Sequence, residues 1–176
     1  TSTRLVVGSS SGTMYEGPWE GNLTKVDVGS AVTAAEYDSS GQYVVTGDAN
    51  GDVKLFEAAP LKLVRRLGKH PGGVVSVGFD SKGRTVVSSG KDKKVQEWDV
   101  LSSSEKPLVT FMLTGNAPQK VAVNLRERIV VSASGDSDVK VWRYPTRLVC
   151  MAGSRYSPAT IEVAIGSSVQ SNASKI

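Results

Sequence analysis

Cysteine is almost missing from this sequence. Cys150 is the only one, so no disulfide can form within the chain and no metal centre can be built on several thiolates; a reducing compartment fits this usage. Histidine is as scarce, and any imidazole chemistry must pass through His70. Long hydrophobic runs are absent. Nothing approaches the roughly 20 apolar residues of a membrane-spanning helix, and no charged-then-apolar leader opens the chain. There is no Gly-x-x-x-x-Gly-Lys-Ser/Thr loop, no Gly-x-Gly-x-x-Gly and no His-Glu-x-x-His, which removes the common nucleotide and zinc-hydrolase signatures. Aromatic residues make up only 6%, too few to supply stacking platforms for nucleic acid beyond those a core needs. Two sequons, Asn22-Leu23-Thr24 and Asn172-Ala173-Ser174, stand without other marks of secretion.

What is present is the composition of a packed domain. The 176 residues are 39% hydrophobic and 22% charged, with a formal net charge of +4. Such a charge favours acidic partners without choosing among nucleic acid, lipid and protein. The chain starts at Thr1 rather than Met, so it reads as a piece of something longer.

Three segments repeat. Tyr37–Phe56, Phe79–Trp98 and Asn124–Trp142 superpose, with equivalent aromatics at 56, 98 and 142 and equivalent turn residues at 50, 92 and 136, steps of 42 and 44. Leu5–Tyr15 has the look of the same hairpin around Ser11, so the chain begins partway through a unit. Within each unit, short β-branched runs alternate with turns of Gly, Asp, Asn and Ser, the pattern of tight antiparallel hairpins. The pairs Val44-Val45, Val86-Val87 and Val130-Val131 suit strands buried on both faces. No helical period is sustained, and the class is all-β. The expected units are a partial one over 1–29, complete ones over 30–67, 68–113 and 114–152, and a partial or frayed one over 153–176. Leu148–Met151 reads as an outer strand and Pro158–Ile165 as the start of a further unit.

A sheet of about 40 residues cannot bury two apolar faces alone, so such units stack around an axis. The chain resembles the WD40-repeat β-propellers, whose repeats carry Gly-His near the start and Trp-Asp at the end: His70 stands nine residues before Phe79, and Trp98-Asp99 closes that repeat. The resemblance covers residues 31–144. More loosely, Thr46–Phe56 followed by Ser89–Trp98 is similar to the echinoderm-microtubule-associated-protein-like propellers. The resemblance implies about three full blades and a partial blade at each end, a fragment of a larger ring of about seven.

His70, Ser88 and Asp92 invite comparison with a catalytic triad. Ser88, however, lies in a Val-Val-Ser run with no Gly-x-Ser-x-Gly elbow to expose its oxygen. The WD40 resemblance implies instead a structural clasp in which Asp92 holds His70, His70 bonds Ser88, and Ser88 reaches the indole of Trp98. The flanking repeats hold the set incompletely, as Thr46, Asn50 and Phe56 and as Ser132, Asp136 and Trp142. A clasp repeated in degraded form is architecture, and no catalytic, cofactor or metal site is expected. Asp48, Asn50 and Asp52 lack the bidentate Glu of a calcium loop and read as turn formers.

In the WD40 fold the loop entering a blade and the turn between its second and third strands emerge together. That places Lys69, Lys91, Lys93 and Lys94 on one rim, between acidic neighbours Asp48 and Asp52 on one side and Asp136 and Asp138 on the other. Such a knob suits an acidic peptide, tubulin tails above all. Lys62, Arg65 and Arg66 read as solubility residues of an outer strand. The expected function is a non-enzymatic scaffold for protein–protein interaction in a larger, cytoplasmic assembly, with a microtubule or ciliary setting as the first specific assignment. A ribonucleoprotein component is the alternative, and a propeller hydrolase using Ser88, His70 and Asp92 comes last. No small-molecule substrate and no membrane partner is expected.

Overall fold

The computed structural model describes residues 3–113, 115–124, 129–134, 139–143 and 162–165. Among them there is no helix; fifteen strands form four antiparallel sheets. The first sheet has three strands, β1 (Arg4–Gly8), β2 (Thr13–Pro18) and β3 (Thr24–Asp27). The second holds β4 (Val32–Tyr37), β5 (Tyr43–Asp48), β6 (Asp52–Ala58) and β7 (Leu61–Lys69), paired in chain order. The third repeats this with β8 (Val74–Phe79), β9 (Thr85–Gly90), β10 (Lys94–Asp99) and β11 (Val109–Met112). The fourth has β12 (Pro118–Asn124), β13 (Ile129–Ser134), β14 (Val139–Arg143) and β15 (Glu162–Ile165). β15 pairs with β14 as an outer strand, although its sequence reads as the start of a further unit. Leu148–Met151, Cys150 and the second sequon lie outside the described residues.

The hairpins form where the turn chemistry dictates. Asp38 and Asp80 each accept from the backbone N–H of the residue five positions on, Tyr43 and Thr85, and so close the turns between the first and second strands of their sheets. Val44, Val45, Val86 and Val130 are wholly buried and Val87 nearly so, because the second strand of each full sheet is covered on both faces.

Sheets stack in chain order, and three apolar clusters fill the junctions. Met14, Val28, Val44 and Phe56 lie between the first and second sheets; Val45, Leu55, Leu67, Val77, Val86 and Trp98 between the second and third; Val87, Phe111, Val121 and Val130 between the third and fourth. Close approach requires missing side chains. A Cβ on Gly47 would overlap Val74, and one on Gly8 would overlap Val32, the same contact one repeat earlier. Gly68 lies directly under the indole ring of Trp98. The four sheets do not close on themselves.

Gly68→Ala forces a methyl into that ring. Overpacking of this kind costs about 1–3 kcal/mol, and urea unfolding followed by Trp fluorescence should show a midpoint loss of that size; an unchanged midpoint would mean that the indole is free to move aside.

Candidate functional site: a buried relay and a lysine turn

The loop from Lys69 to Gly73 enters the third sheet as a tight turn, with Gly73 N–H on the His70 carbonyl (3.2 Å) and His70 N–H on the Gly51 carbonyl (2.9 Å). Gly72 and Gly73 both take positive φ, 90° and 108°, which the turn needs and other residues resist. His70 is driven fully into the interior as a result. Its Nδ1 lies 2.9 Å from Asp92 Oδ1 and its Nε2 2.7 Å from Ser88 Oγ. Trp98 Nε1–H donates to the same Ser88 oxygen at 2.7 Å. The Asp92 carboxylate can only accept, so His70 carries its proton on Nδ1; Nε2 of the neutral ring then accepts from the Ser88 hydroxyl, whose oxygen in turn accepts from the indole. The relay runs one way, Trp98 to Ser88 to His70 to Asp92. The two rings meet edge to face at 6.4 Å and 87°.

Ser88 is 1% exposed and both its partners are in place, so its oxygen offers no attack geometry. Burial pulls the His70 pKa below its ordinary value, Asp92 pulls it partly back, and Lys94 pushes it further down. The imidazole is neutral at pH 7, as the relay needs.

Gly90 makes room for this arrangement, since a Cβ there would stand 2.6 Å from Asp92 Oδ1. One repeat earlier that position is Asp48, and the solution differs. Thr46 Oγ1 is buried without a partner, while Asp48 accepts from Asp52 N–H (2.9 Å) and from Lys54 Nζ (2.8 Å). Lys54 also donates to the carbonyl of Val28 at 2.6 Å, and Val28 stands where His70 stands in the next repeat. An aspartate–lysine pair thus ties the incoming loop in place of an imidazole. Sequence reasoning missed Lys54, although a lysine between Val53 and Leu55 on a buried strand was a signal. In the fourth sheet Ser132 is buried; Asp136 and Asp138, and the side chain of Trp142, lie outside the described residues.

A second polar cluster went unread. Glu16, 1% exposed on β2, receives Arg4 Nε at 2.7 Å and the Tyr37 hydroxyl at 2.7 Å, linking the first sheet to the second. Burial and the Glu16 charge drive the Tyr37 pKa upward, so the phenol stays protonated and donates.

The four rim lysines divide. Lys69 sits 3.6 Å from Asp52, which Lys54 (3.7 Å) and Arg66 (3.4 Å) also approach. Asp48 is wholly buried on Lys54. The expected acidic neighbours on this side are therefore already neutralised, because the long cations of β6 and β7 reach back over the turn. Lys91, Lys93 and Lys94 have no acidic side chain within ion-pair range among the described residues. Arg65 and Arg66 also do more than keep an edge soluble: Arg65 donates to the Asp99 carbonyl (2.7 Å) and Arg66 holds Glu105 (2.8 Å), both on the third sheet's side. Asp48 and Asp52 belong to no metal-holding group among the described residues.

Four-stranded antiparallel sheets stacked in chain order, with a Trp–Ser–His–Asp relay inside one of them, define the class as WD40-type β-propeller blades. Comparison with known proteins agrees: residues 21–57 and 61–99 each match the family described as WD domain, G-beta repeat, so WD40 repeats lie within the chain. It is 40% identical over 58 residues, 32% of the chain, to echinoderm microtubule-associated protein-like elp-1 of Caenorhabditis elegans. It is 25% identical over 120 residues, 68% of the chain, to the WD repeat domain-containing protein 83 homolog of Dictyostelium discoideum. A third relative, the U3 small nucleolar RNA-associated protein 21 homolog of Schizosaccharomyces pombe, is 30% identical over 101 residues, 54% of the chain. The matched stretches are 6%, 36% and 11% of those three proteins, so the chain spans a minor part of each.

His70 supplies a pH signature. Unfolded, it takes up its proton near pH 6.5; folded, only at lower pH, so the unfolded state binds more protons between those values and stability falls as pH falls through that window. Urea unfolding at pH 7.5 and 5.5 should show the gap in stability between wild type and His70→Gln narrowing at the lower pH. A gap that stays constant would mean that His70 is not held neutral.

Proposed function

We propose that this chain is a non-catalytic docking module that receives an acidic segment of a partner protein on the turn carrying Lys91, Lys93 and Lys94. The observation that carries the reading is the backbone at Lys93. With φ at 63° it is the one non-glycine residue in the left-handed region among the described residues. The equivalent turns of the two preceding repeats end on Gly12 and Gly51, at φ of 86° and 93°. A lysine in this conformation costs roughly 1–2 kcal/mol where the preceding repeats use glycine; the turn is held by Lys93 N–H on the Gly90 carbonyl and Leu113 N–H on the Lys93 carbonyl. The fold sets the conformation, and a lysine rather than a glycine kept there, beside the exposed Lys91 and the half-buried Lys94, supports a role in binding.

The inaccessible Ser88 supports a role without catalysis. Proteins of the WD40 family serve in general as interaction scaffolds, which agrees. The name of the C. elegans relative connects that protein with microtubules, and the acidic tails of tubulin have the chemistry this turn favours. We therefore place the chain in a cytoskeletal or ciliary assembly. The yeast relative's name points to RNA, but Trp98 and Phe56 are 2% and 1% exposed and offer no stacking face at this rim.

Microtubule pelleting tests the assignment. Lys91→Glu, Lys93→Glu and Lys94→Glu together should weaken co-sedimentation at least tenfold while leaving the melting temperature nearly unchanged, and equal pelleting would sink it. Binding that shifts to RNA, with a steep salt dependence, would favour the ribonucleoprotein reading. Separately, Lys93→Gly should stabilise the fold by about 0.5–1 kcal/mol while loosening the acidic partner; a variant that binds as well as wild type would leave the strain without purpose.

A further inference from the structure

The junction between the third and fourth sheets differs from the one before it. Between the second and third sheets, Glu36 of β4 and Phe79 of β8 face each other, and the Phe79 N–H meets the Glu36 carboxylate at 3.3 Å. One repeat on, the corresponding residues are Gly78 and Val123, so most of that volume is gone. In its place is a cleft of about 270 Å³. Against roughly 30 Å³ for a water molecule, that is room for a fragment of several heavy atoms and not for a nucleotide.

The cleft is also polar where its predecessor is not. Ser76 and Ser89, a cross-strand pair, line it at the positions that Ala34 and Gly47 hold one repeat earlier. Ser89 is 1% exposed and its hydroxyl oxygen has no partner. Ser89 faces away from the relay: alternation along β9 sends Ser88 to Trp98 and His70, and Ser89 to the opposite face with Val87. Glu36 stands at the side of the cleft; among the described residues it is the one charged group that lines it, and none of them is basic. Val87, Val121 and Val123 make the remaining wall apolar, which disfavours a hydrated metal ion.

We propose that this cleft binds a primary alkylammonium group, with the aliphatic stem against Val87, Val121 and Val123 and the cationic head toward the Ser76 and Ser89 hydroxyls and the Glu36 carboxylate. An ammonium is a donor only, and this site offers acceptors. A short methylene stem matches the apolar wall as lysine stems do elsewhere. Glu36 is exposed, and the partial desolvation its carboxyl meets lifts it above the ordinary range, so a cation beside it draws that value back down. The same chemistry is carried by a free small amine and by a lysine side chain of another protein. Neither the lysine turn nor its partner is involved, and the two assignments stand separately.

Titration of the isotope-labelled full chain with n-butylammonium, followed by amide and carboxyl NMR shifts, tests this. Saturable shifts should centre on Ser76, Ser89 and Val121, and n-butanol, with the same stem and no charge, should bind at least tenfold more weakly. Glu36→Gln should lower the butylammonium affinity at least tenfold. Ser89→Val, which removes the hydroxyl and narrows the cleft, should abolish the shifts while the chain still melts cooperatively. Nα-acetyl-lysine methylamide binding at the same residues assigns the site to a protein side chain; binding by the free amine alone assigns it to a small molecule. Equal affinity for butanol, shifts indifferent to Glu36→Gln, or no saturable shift would each overturn the proposal.

Discussion

Trp98 belongs to two sheets at once. Its indole N–H is fixed to Ser88 within the third sheet while its ring lies on the bare backbone of Gly68 in the second. One side chain therefore sets both the internal order of a blade and its distance from the neighbour. The long reach of the aromatic ring makes this work, and the absent side chain at 68 permits it. The other junctions use smaller pieces to the same end, Gly8 under Val32 and Gly47 under Val74. Close contact of this kind is steep in energy, since interiors packed near crystal density yield little, and it places the turns above it with little freedom.

The repeat and its strands were legible because both rest on local signals: paired valines, turn residues at a fixed step, and an aromatic closing each unit. The quartet of His70, Ser88, Asp92 and Trp98 was expected from the WD40 resemblance; that each is a residue type seldom buried without a bond agrees with it but does not by itself pair them. What stayed hidden depends on contacts between repeats. Glu16 with Arg4 and Tyr37 joins residues up to 33 positions apart, and a glutamate in a strand ordinarily reads as surface. Lys54 is hidden for a similar reason, since its partners Asp48 and Val28 come from two different turns. The cleft beside Ser89 could be seen only by comparing what fills one junction with what fills the next. Gly78 and Val123 are unremarkable until set against Glu36 and Phe79.

Charge follows the same division. Most of the cations near the rim are committed inward or sideways, Lys54 to Asp48, Lys69 to Asp52, Arg66 to Glu105. The Lys54–Asp48 pair is buried, while the other two are exposed and contribute little stability each. Their larger effect is to remove acidic competitors from the neighbourhood of Lys91, Lys93 and Lys94. The three lysines share their turn with Asp92, so the local field is that of three positive charges less one, with Asp48 and Asp52 on the near side already paired.

The turn that presents those lysines also contains Asp92, the end of the buried relay. Its backbone is pinned on both sides, Lys91 to Gly73 and Lys93 to Gly90. Tension applied to the turn from outside would pass through Asp92 to His70 and on to the indole lodged against the second sheet, so a pull at the rim is resisted by shear between whole sheets rather than by a loop peeling away. An attachment made at this point would be mechanically stiff.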